Sequence, residues 1–184
     1  MLQIIVSIQY KIPKMEKTKE ILIEEFNLTN HLNWEVINDG VMGGISESNF
    51  QILTDQTAVF SGRVSLENNG GFASVRASLR ESVSGNFEKI VIHVKGDGKT
   101  YSLRIRTDQN FDGVAYACSF STIKDEWTMH EFSPVDFVPT FRGRTPSNVP
   151  PLKDMQIGQI GFLISEKQSG SFKLIIDWIK MIVL

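Results

Sequence analysis

The sequence predicts an all-β domain built as a two-sheet antiparallel sandwich. From about Asn49 onward, short runs that alternate apolar and polar residues are separated by clusters of Gly, Asn, Asp and Ser, about 8 to 14 residues apart. Segments with the 3.6-residue period of a helix are nearly absent. Nine such runs are present, a number that suits two stacked antiparallel sheets.

Turn residues set the ends of the predicted strands. The run Gly96-Asp97-Gly98 supplies residues that adopt a positive φ at low cost, so the strands on either side of it are predicted to pair as one hairpin. Asp112-Gly113 and Ser169-Gly170 likewise indicate turns between strands. In chain order the predicted strands span 49–53, 58–66, 72–78, 89–95, 101–107, 114–121, 127–132, 159–165 and 172–183.

The segment 137–152 is predicted to be a long ordered crossover loop. It contains Pro139, Pro146, Pro150 and Pro151. Each proline lacks the backbone N–H that a strand ladder needs, so this segment cannot form a central strand.

Length and charge limit the number of domains and the kinds of partner. The 184 residues, of which 41% are hydrophobic, are enough for one core, and we predict an N-terminal tail over 1–19 and one domain over 20–184. The formal net charge of -2 disfavours binding to nucleic acid, which attracts strongly basic proteins. No apolar run approaches the roughly 20 residues of a membrane-spanning helix, so we predict no membrane insertion.

Metal and cofactor sites are not predicted. Cys118 is the single cysteine, so an internal disulfide and a thiolate-rich zinc site are excluded. His31, His93 and His130 do not have the spacing of metal ligands. Gly98-Lys99-Thr100 lacks the preceding glycine of a phosphate-binding loop.

Catalysis is not predicted either. The sequence contains no Gly-x-Ser-x-Gly elbow and no His-Glu-x-x-His pair. Carboxylate pairs such as Glu35 with Asp39 occur by chance in a chain with 21 acidic residues. We therefore expect a protein that binds and does not catalyse.

Strand alternation turns several arginines toward one outer surface. In the strand 101–107 the aromatic and aliphatic residues are predicted to enter the core, so Arg104 and Arg106 face outward. The same alternation turns Arg76 and His93 outward, and one sheet face would carry all four if their strands are neighbours. Such a face suits a polar ligand or an acidic partner segment, because arginine binds oxyanions in a forked geometry. The alternative is that these residues are solvated and paired with nearby carboxylates.

Two glycine-rich loops precede predicted strands. The loop 39–44 and the loop 68–72 concentrate residues that tolerate unusual backbone angles, which favours tight structural turns. The functional alternative is that the two loops form one rim of a binding surface, with Met42 as an adaptable apolar contact.

Many short motifs follow one another in the order of a known family. They are Trp34, 39–44 with Ser46, 60–62, 68–76, 95–101, 104–108, Tyr116 with Phe120, Trp127, 141–144, 160–164 and 167–172. In this order they resemble the complex I intermediate-associated protein 30 family, over about 26–182.

The resemblance implies a galactose-binding-like β-sandwich of jelly-roll type, similar to some carbohydrate-binding modules. Eukaryotic members of the family look like mitochondrial chaperones for the assembly of respiratory NADH:ubiquinone oxidoreductase. The first residues, including Lys11, Lys14, Lys17 and Lys19, are not enriched in Arg or Ser as a mitochondrial targeting peptide is. We therefore expect a compact bacterial relative that acts in the cytoplasm.

Our leading hypothesis is a non-enzymatic protein-binding module that shields or positions an assembly intermediate of respiratory complex I or of another membrane complex. We expect contacts from the two glycine-rich loops and from the arginine face, with charged anchors and apolar contacts. The candidate binding residues are Trp34, Asp39, Met42, Asn68, Asn69, Phe72, Arg76, Arg104, Arg106, Tyr116 and Arg142.

The alternative hypothesis is a module that binds a carbohydrate or another small polar ligand on the same face. Sugar-binding sheets usually present exposed aromatic rings for stacking, whereas most Phe and Tyr residues of this sequence occupy inward positions. This pattern favours the protein-binding hypothesis.

Overall fold

The predicted two-sheet antiparallel sandwich is confirmed. The computed structural model describes residues 18–84, 86–110, 112–153 and 155–183. In this part of the chain twelve strands form two antiparallel sheets, and three short 3-10 turns are the helical elements. Most of the predicted tail, residues 1–17, lies outside the described residues.

The twelve strands follow the alternation of the sequence. They are β1 (Lys19–Glu24), β2 (Trp34–Asn38), β3 (Glu47–Ile52), β4 (Ala58–Val64), β5 (Ala73–Ser84), β6 (Phe87–Lys95), β7 (Thr100–Arg106), β8 (Ala115–Ser121), β9 (Trp127–Phe132), β10 (Val138–Thr140), β11 (Gln156–Ile164) and β12 (Gly170–Val183).

Two sheets of six strands enclose the core. Sheet A has the order β3-β4-β12-β6-β9, and β1 pairs with the second half of β12. Sheet B has the order β10-β8-β7-β11-β5-β2. In sheet B the late strand β11 lies between β7 and β5, which come much earlier in the chain. This insertion determines which side chains meet on the outer face of sheet B.

The core lies between the inner faces of the sheets. Leu103, Ile105 and Phe162 are fully buried there, and each such side chain contributes roughly 2 kcal/mol to folding. Alternate residues of β5, Ala73, Val75 and Ala77, are also buried, as the sequence predicts. The residues between them on β5 and β7 therefore face away from the core.

Three strands were not predicted, namely β1, β2 and β10. The strand β10 is a correction, because it lies inside the predicted crossover loop 137–152. It has three residues, pairs with β8 and forms the edge of sheet B. Pro139 is therefore accommodated at a sheet edge, where a missing N–H donor costs little.

The predicted hairpin across Gly96-Asp97-Gly98 is wrong, because β6 belongs to sheet A and β7 belongs to sheet B. The turn is held by the Asp97 carboxylate, which accepts hydrogen bonds from Lys99 N at 3.2 Å, Tyr101 Oη at 2.9 Å and Lys173 N at 3.1 Å. Lys173 is on β12 of sheet A. The turn is thereby anchored at a corner of the sandwich, and the chain crosses from one sheet to the other.

A buried glutamate holds the connection between β1 and β2. The Glu24 side chain accepts hydrogen bonds from the backbone N–H groups of Glu25, Phe26 and Leu32 at 3.0, 2.9 and 2.7 Å. It also accepts one from Trp34 Nε1 at 3.1 Å. These bonds fix a chain reversal in which Phe26 is fully buried with a φ of 54°.

Replacing Glu24 by Ala is expected to lower the free energy of unfolding by about 2 kcal/mol, because buried donors lose their acceptor. Urea unfolding followed by tryptophan fluorescence measures this loss. The control is Glu25→Ala, since Glu25 is the exposed neighbour, and its effect is expected to stay within about 0.5 kcal/mol. Equal losses in the two variants would contradict a supporting role for the Glu24 carboxylate.

Candidate functional site

The outer face of sheet B carries a groove, which we call the arginine groove. Its volume is about 890 Å³. Its floor consists of outward residues of β5, β11 and β7, including Arg76, Gly161 and Arg104. One end is bounded by the loop 39–44, and one wall by residues of the segment 136–145. The predicted crossover loop thus forms part of the wall.

The centre of the floor is a row of two arginines with a glycine between them. Gly161 of β11 pairs with Arg76 of β5 on one side and with Arg104 of β7 on the other. A Cβ atom on Gly161 would overlap the Val75 carbonyl oxygen and lie 2.9 Å from Arg76 Cβ. Glycine at this position therefore lets β5 and β11 approach closely, and β11 places no side chain between Arg76 and Arg104.

Burial lowers the pKa values of the three floor arginines, and the like charges of neighbouring arginines add to this shift in Arg104 and Arg106. Burial, followed by the like charges of Arg106 and Arg76, lowers the pKa of Arg104 to about 10. Burial also lowers the pKa of Arg106 and of Arg76, and in Arg76 the charges of Glu35 and Asp112 oppose the shift. Arg104 stays positively charged at pH 7, because its pKa remains well above that value. The groove thus concentrates positive charge in a partly desolvated space.

Arg104 and Arg106 each donate a hydrogen bond to a neutral oxygen atom. Arg104 Nη2 donates to Thr140 Oγ1 at 3.4 Å, and Arg106 Nη1 donates to the Gly113 carbonyl oxygen at 2.7 Å. Arg142 forms an exposed ion pair with Asp112 at 2.6 Å at the side of the groove. This pairing lowers the pKa of Asp112. Arg104 and Arg106 thus keep guanidinium charge that no ion pair neutralises among the described residues.

The end of the arginine groove near the loop 39–44 is apolar. Val41 and Met42 are 66% and 57% exposed, respectively, and both line the groove with Ile37 and Phe72. Phe72 directly precedes β5 and is half-buried. This cluster of Ile37, Val41, Met42 and Phe72 is called the apolar end below.

The Asp39 carboxylate joins the two glycine-rich loops. It accepts hydrogen bonds from Ser46 N at 2.9 Å and Ser46 Oγ at 2.5 Å, and from Gly71 N at 2.7 Å and Phe72 N at 3.2 Å. Burial raises the pKa of Asp39, but the bonds from Ser46, Gly71 and Phe72 outweigh it, so the pKa lies below its ordinary value. Asp39 is itself fully buried, which makes it a support of the rim and not a contact surface.

The loops contain glycine next to this carboxylate. A Cβ atom on Gly44 would lie 2.5 Å from Asp39 Oδ1, and one on Gly70 would lie 2.6 Å from Asp39 Oδ2. A larger residue would therefore collide with the carboxylate that both loops use. The structure brings the loops together along one rim, where Met42 and Phe72 line the same groove.

Besides the buried Asp39, four of the candidate residues lie apart from the groove lining. Trp34 stacks on Phe50 at 4.9 Å between ring centroids and packs against the core, and its Nε1 donates to Glu24. Tyr116 is 1% exposed, and its hydroxyl donates to the Pro150 carbonyl oxygen at 2.8 Å. Both aromatic residues are thus committed to packing. Asn68 and Asn69 have φ values of 54° and 58° and belong to a 3-10 turn that leads to the rim.

His93 is on a different sheet from the arginines. It belongs to β6 of sheet A, where its ring stacks on Trp127 at 4.8 Å and its Nδ1 lies 2.7 Å from Asp177 Oδ2. The face with four basic residues is thus corrected to a groove with Arg76, Arg104 and Arg106 on its floor. The remaining candidates Met42, Phe72 and Arg142 line the same groove.

Sequence reasoning did not select Gly161 or Thr140. Gly161 has a detectable signal, because a glycine inside an apolar strand pattern marks a close approach of backbone or ligand. Thr140 has no such signal, since its position depends on the pairing of β10 with β8.

The described part of the chain contains neither a cluster of metal-binding side chains nor a helix that could span a membrane. In residues 18–84, 86–110, 112–153 and 155–183, no group of three His, Cys, Asp or Glu side chains is arranged to hold a metal ion. The same ranges contain no helix with the length and apolarity needed to cross a bilayer.

Comparison with known sequences identifies related proteins. The profile of the family described as complex I intermediate-associated protein 30 matches residues 24–176. A protein of Caenorhabditis briggsae, named as a probable mitochondrial complex I intermediate-associated protein 30, is 25% identical over 142 residues, which cover 67% of this chain and 42% of that protein. The chain thus spans about two fifths of the length of this relative.

Solved structures with a similar fold include carbohydrate-binding modules. The family 11 module of Clostridium thermocellum in complex with a β-1,3-1,4-mixed-linked tetrasaccharide has a TM-score of 0.65 and 19% identity, over 89% of this chain and 95% of that one. The family 11 module of a cellulosomal cellulase of the same organism has a TM-score of 0.67 and 18% identity, over 92% and 97%. A family 29 module complexed with cellulohexaose has a TM-score of 0.56 and 7% identity, over 90% and 91%. These likenesses confirm the predicted jelly-roll β-sandwich fold.

Proposed function

The chain belongs to the complex I intermediate-associated protein 30 family, and from this premise we propose that it is a non-enzymatic module that binds a partner protein. The partner is an assembly intermediate of respiratory complex I or of another membrane complex, and it is held in the arginine groove. The family and the similar relative are named for association with complex I intermediates, which supports a protein partner. The family and the similar modules described above are named for association with complex I intermediates and for carbohydrate binding, which supports a binding role.

The single observation that carries the proposal is the combination of charge and apolar surface in one groove. Three arginines on the floor adjoin the exposed side chains of Val41 and Met42. Arginine together with exposed apolar side chains is the composition typical of protein contact surfaces. A groove of about 890 Å³ offers enough space for a short segment of a partner.

The side chains of the groove support a role without bond chemistry. Cys118 lines the groove, but burial raises the pKa of its thiol, and the charge of Asp136 raises it further. A protonated thiol is a poor nucleophile at neutral pH. Asp112 is paired with Arg142, so this carboxylate is not positioned as a free base.

A carbohydrate ligand is the second candidate, and the likeness to the family 11 module with a bound tetrasaccharide favours it. Against it, Phe72 and Phe162 are the aromatic residues among the described side chains that line the groove, and Phe162 is fully buried. Only Phe72 of these two can offer an open ring for a sugar to stack on. The groove is therefore better suited to a charged and apolar partner surface than to a glycan.

The proposal is tested by crosslinking and affinity capture from the source organism, with the native protein and the double variant Arg76→Gln/Arg104→Gln. We expect recovery of a subunit of a membrane complex to fall at least tenfold in the double variant, because charge-assisted hydrogen bonds are lost. The matched control is Arg63→Gln, an exposed arginine of β4 on sheet A, which is expected to retain the partner.

Two outcomes would contradict the proposal. If neither the native protein nor the control enriches a membrane-complex subunit, the protein partner is wrong. If calorimetry shows that a mixed-linked glucan oligosaccharide binds the native protein and not the double variant, the carbohydrate candidate replaces it.

A further inference from the structure

We infer that the arginine groove recognises an extended acidic segment of the partner protein at two points. A carboxylate of the segment lies between Arg76 and Arg104 above Gly161, and an apolar side chain four residues away lies on the apolar end. This inference rests on the proposed function and specifies the chemistry of the partner.

The first point of recognition is the gap above Gly161. Because β11 is the single strand between β5 and β7, the Cα atoms of Arg76 and Arg104 are about 10 Å apart, two strand spacings. Two long guanidinium side chains can converge on one carboxylate over that distance, and Gly161 contributes no side chain that would occupy the gap. An anion placed there would relieve the repulsion that Arg104 experiences from Arg76 and Arg106.

The charge of the whole groove fits an acidic occupant. Its described lining contains five arginines, among them Arg142 and Arg144, against the three carboxylates Asp112, Asp136 and Glu166. The chain as a whole has a formal net charge of -2, so the groove is a positive region on a slightly acidic protein. Electrostatic complementarity of this kind selects acidic partners and excludes basic ones.

The second point of recognition is set by strand geometry. Phe72, Ser74 and Arg76 are alternate residues that line the groove. Ser74 and Arg76 belong to β5, and Phe72 directly precedes this strand. With a rise of about 3.4 Å per residue, Phe72 and Arg76 are about 14 Å apart. An extended peptide has the same rise, so side chains four residues apart on one of its faces match these two positions. Ser74 between them is small enough to leave the path open.

The two separate points favour a peptide over a free anion or a sugar. A free phosphate or carboxylate ion would fill only the gap above Gly161 and leave Val41 and Met42 exposed. A segment with both an acidic and an apolar side chain covers both points, and it buries apolar surface that the protein otherwise presents to water. The spacing of the two side chains is therefore the distinctive feature of the inference.

The test uses fluorescein-labelled peptides and fluorescence polarisation. The probe is Gly-Ser-Leu-Ser-Thr-Ser-Glu-Ser-Gly, together with the same sequence in reverse order, because either chain direction satisfies the spacing. We expect one of them to bind with a Kd below about 1 mM at low salt. Three matched peptides have Gln in place of Glu, Ser in place of Leu, or the same composition with Glu two residues from Leu. Each is expected to bind at least tenfold more weakly.

Variants of the protein test which side chains form each of the two recognition points. Arg76→Gln and Arg104→Gln are expected to abolish the preference for Glu over Gln in the peptide, and Met42→Ser is expected to abolish the preference for Leu over Ser. Arg63→Gln of sheet A is the control and is expected to keep both preferences. Met42 is 57% exposed, so its replacement is not expected to unfold the protein, and a thermal unfolding curve for each variant verifies this.

The inference is overturned if neither direction of the probe peptide binds, or if the peptide with shifted spacing or without Leu binds as tightly as the probe. It is also overturned if Arg63→Gln has the same effect as Arg104→Gln. Its failure is distinguishable from that of the proposed function. If the groove variants still capture the partner, the protein-binding role stands and this site is wrong. If the peptide binds but no membrane-complex subunit is captured, the site stands and the assembly role is wrong.

Discussion

Replacing Asp39 by Ala is expected to lower the free energy of unfolding by about 3 kcal/mol, which is about 6 to 12 °C in Tm for a domain of this size. The Asp39 carboxylate is fully buried and accepts four hydrogen bonds, from Ser46 twice and from Gly71 and Phe72. Its removal leaves buried donors without an acceptor and separates the loop 39–44 from the loop 68–72. Differential scanning calorimetry and urea unfolding measure the loss.

The same variant should weaken partner binding beyond its effect on stability. Phe72 and Met42 are positioned by loops that share the Asp39 carboxylate, so the apolar end loses its shape when that carboxylate is absent. The control is Asp125→Asn, because Asp125 is exposed and its φ of 61° is a conformation that Asn also adopts. We expect this control to change the free energy of unfolding by less than about 0.5 kcal/mol.

The pH dependence of the Asp39 effect has a defined sign. The pKa of Asp39 in the folded state is lowered below its ordinary value of 3.8, because hydrogen bonds from Ser46, Gly71 and Phe72 outweigh the upward effect of burial. A group with a depressed folded pKa stabilises the protein fully above the unfolded pKa, and its contribution is lost as the pH falls through the folded pKa. The difference in unfolding free energy between the native protein and Asp39→Asn should therefore shrink as the pH falls below about 4. A difference that stays constant down to pH 3 would show that the Asp39 charge does not stabilise the fold.

Local patterns in the sequence were sufficient for nine of the twelve strands and for the inward and outward faces of β5 and β7. The alternation in 101–107 predicts buried Leu103 and Ile105 beside outward Arg104, and the structure has this arrangement. Alternation is a property of neighbouring residues, so it needs no knowledge of the rest of the chain. The sequence did not decide whether Trp34 and Tyr116 lie on the surface or in the core, because an amphipathic aromatic residue suits either environment.

Contacts between distant residues could not be predicted. Asp97 binds Lys173 N, 76 positions later, and this contact turns a predicted hairpin into a crossing between sheets. The groove likewise depends on the insertion of β11 between β5 and β7, which places Gly161 between Arg76 and Arg104. The residue types indicated a surface that carries arginines. The strand order places His93 on sheet A, away from this surface.

Replacing Gly161 by Ala is expected to destabilise the fold by about 2 to 3 kcal/mol and to weaken binding at the arginine groove at least tenfold. The added methyl group would overlap the Val75 carbonyl oxygen and lie 2.9 Å from Arg76 Cβ, so the backbone of β5 or β11 must shift. A shift of either strand changes the separation of Arg76 and Arg104, and the methyl group itself occupies part of the gap between them. Urea unfolding and peptide polarisation measure the two effects separately.

The matched control is Gly40→Ala, because a Cβ atom at Gly40 would meet no atom of the described residues within 4 Å. This control should leave both the stability and the binding within the error of the native protein. A Gly161→Ala variant with native affinity would show that the space between the two arginines is not used by the ligand. A variant with native stability but lost affinity would instead assign Gly161 chiefly to recognition. In that case the strands would have accommodated the methyl group, and the relative positions of the two guanidinium groups would have changed.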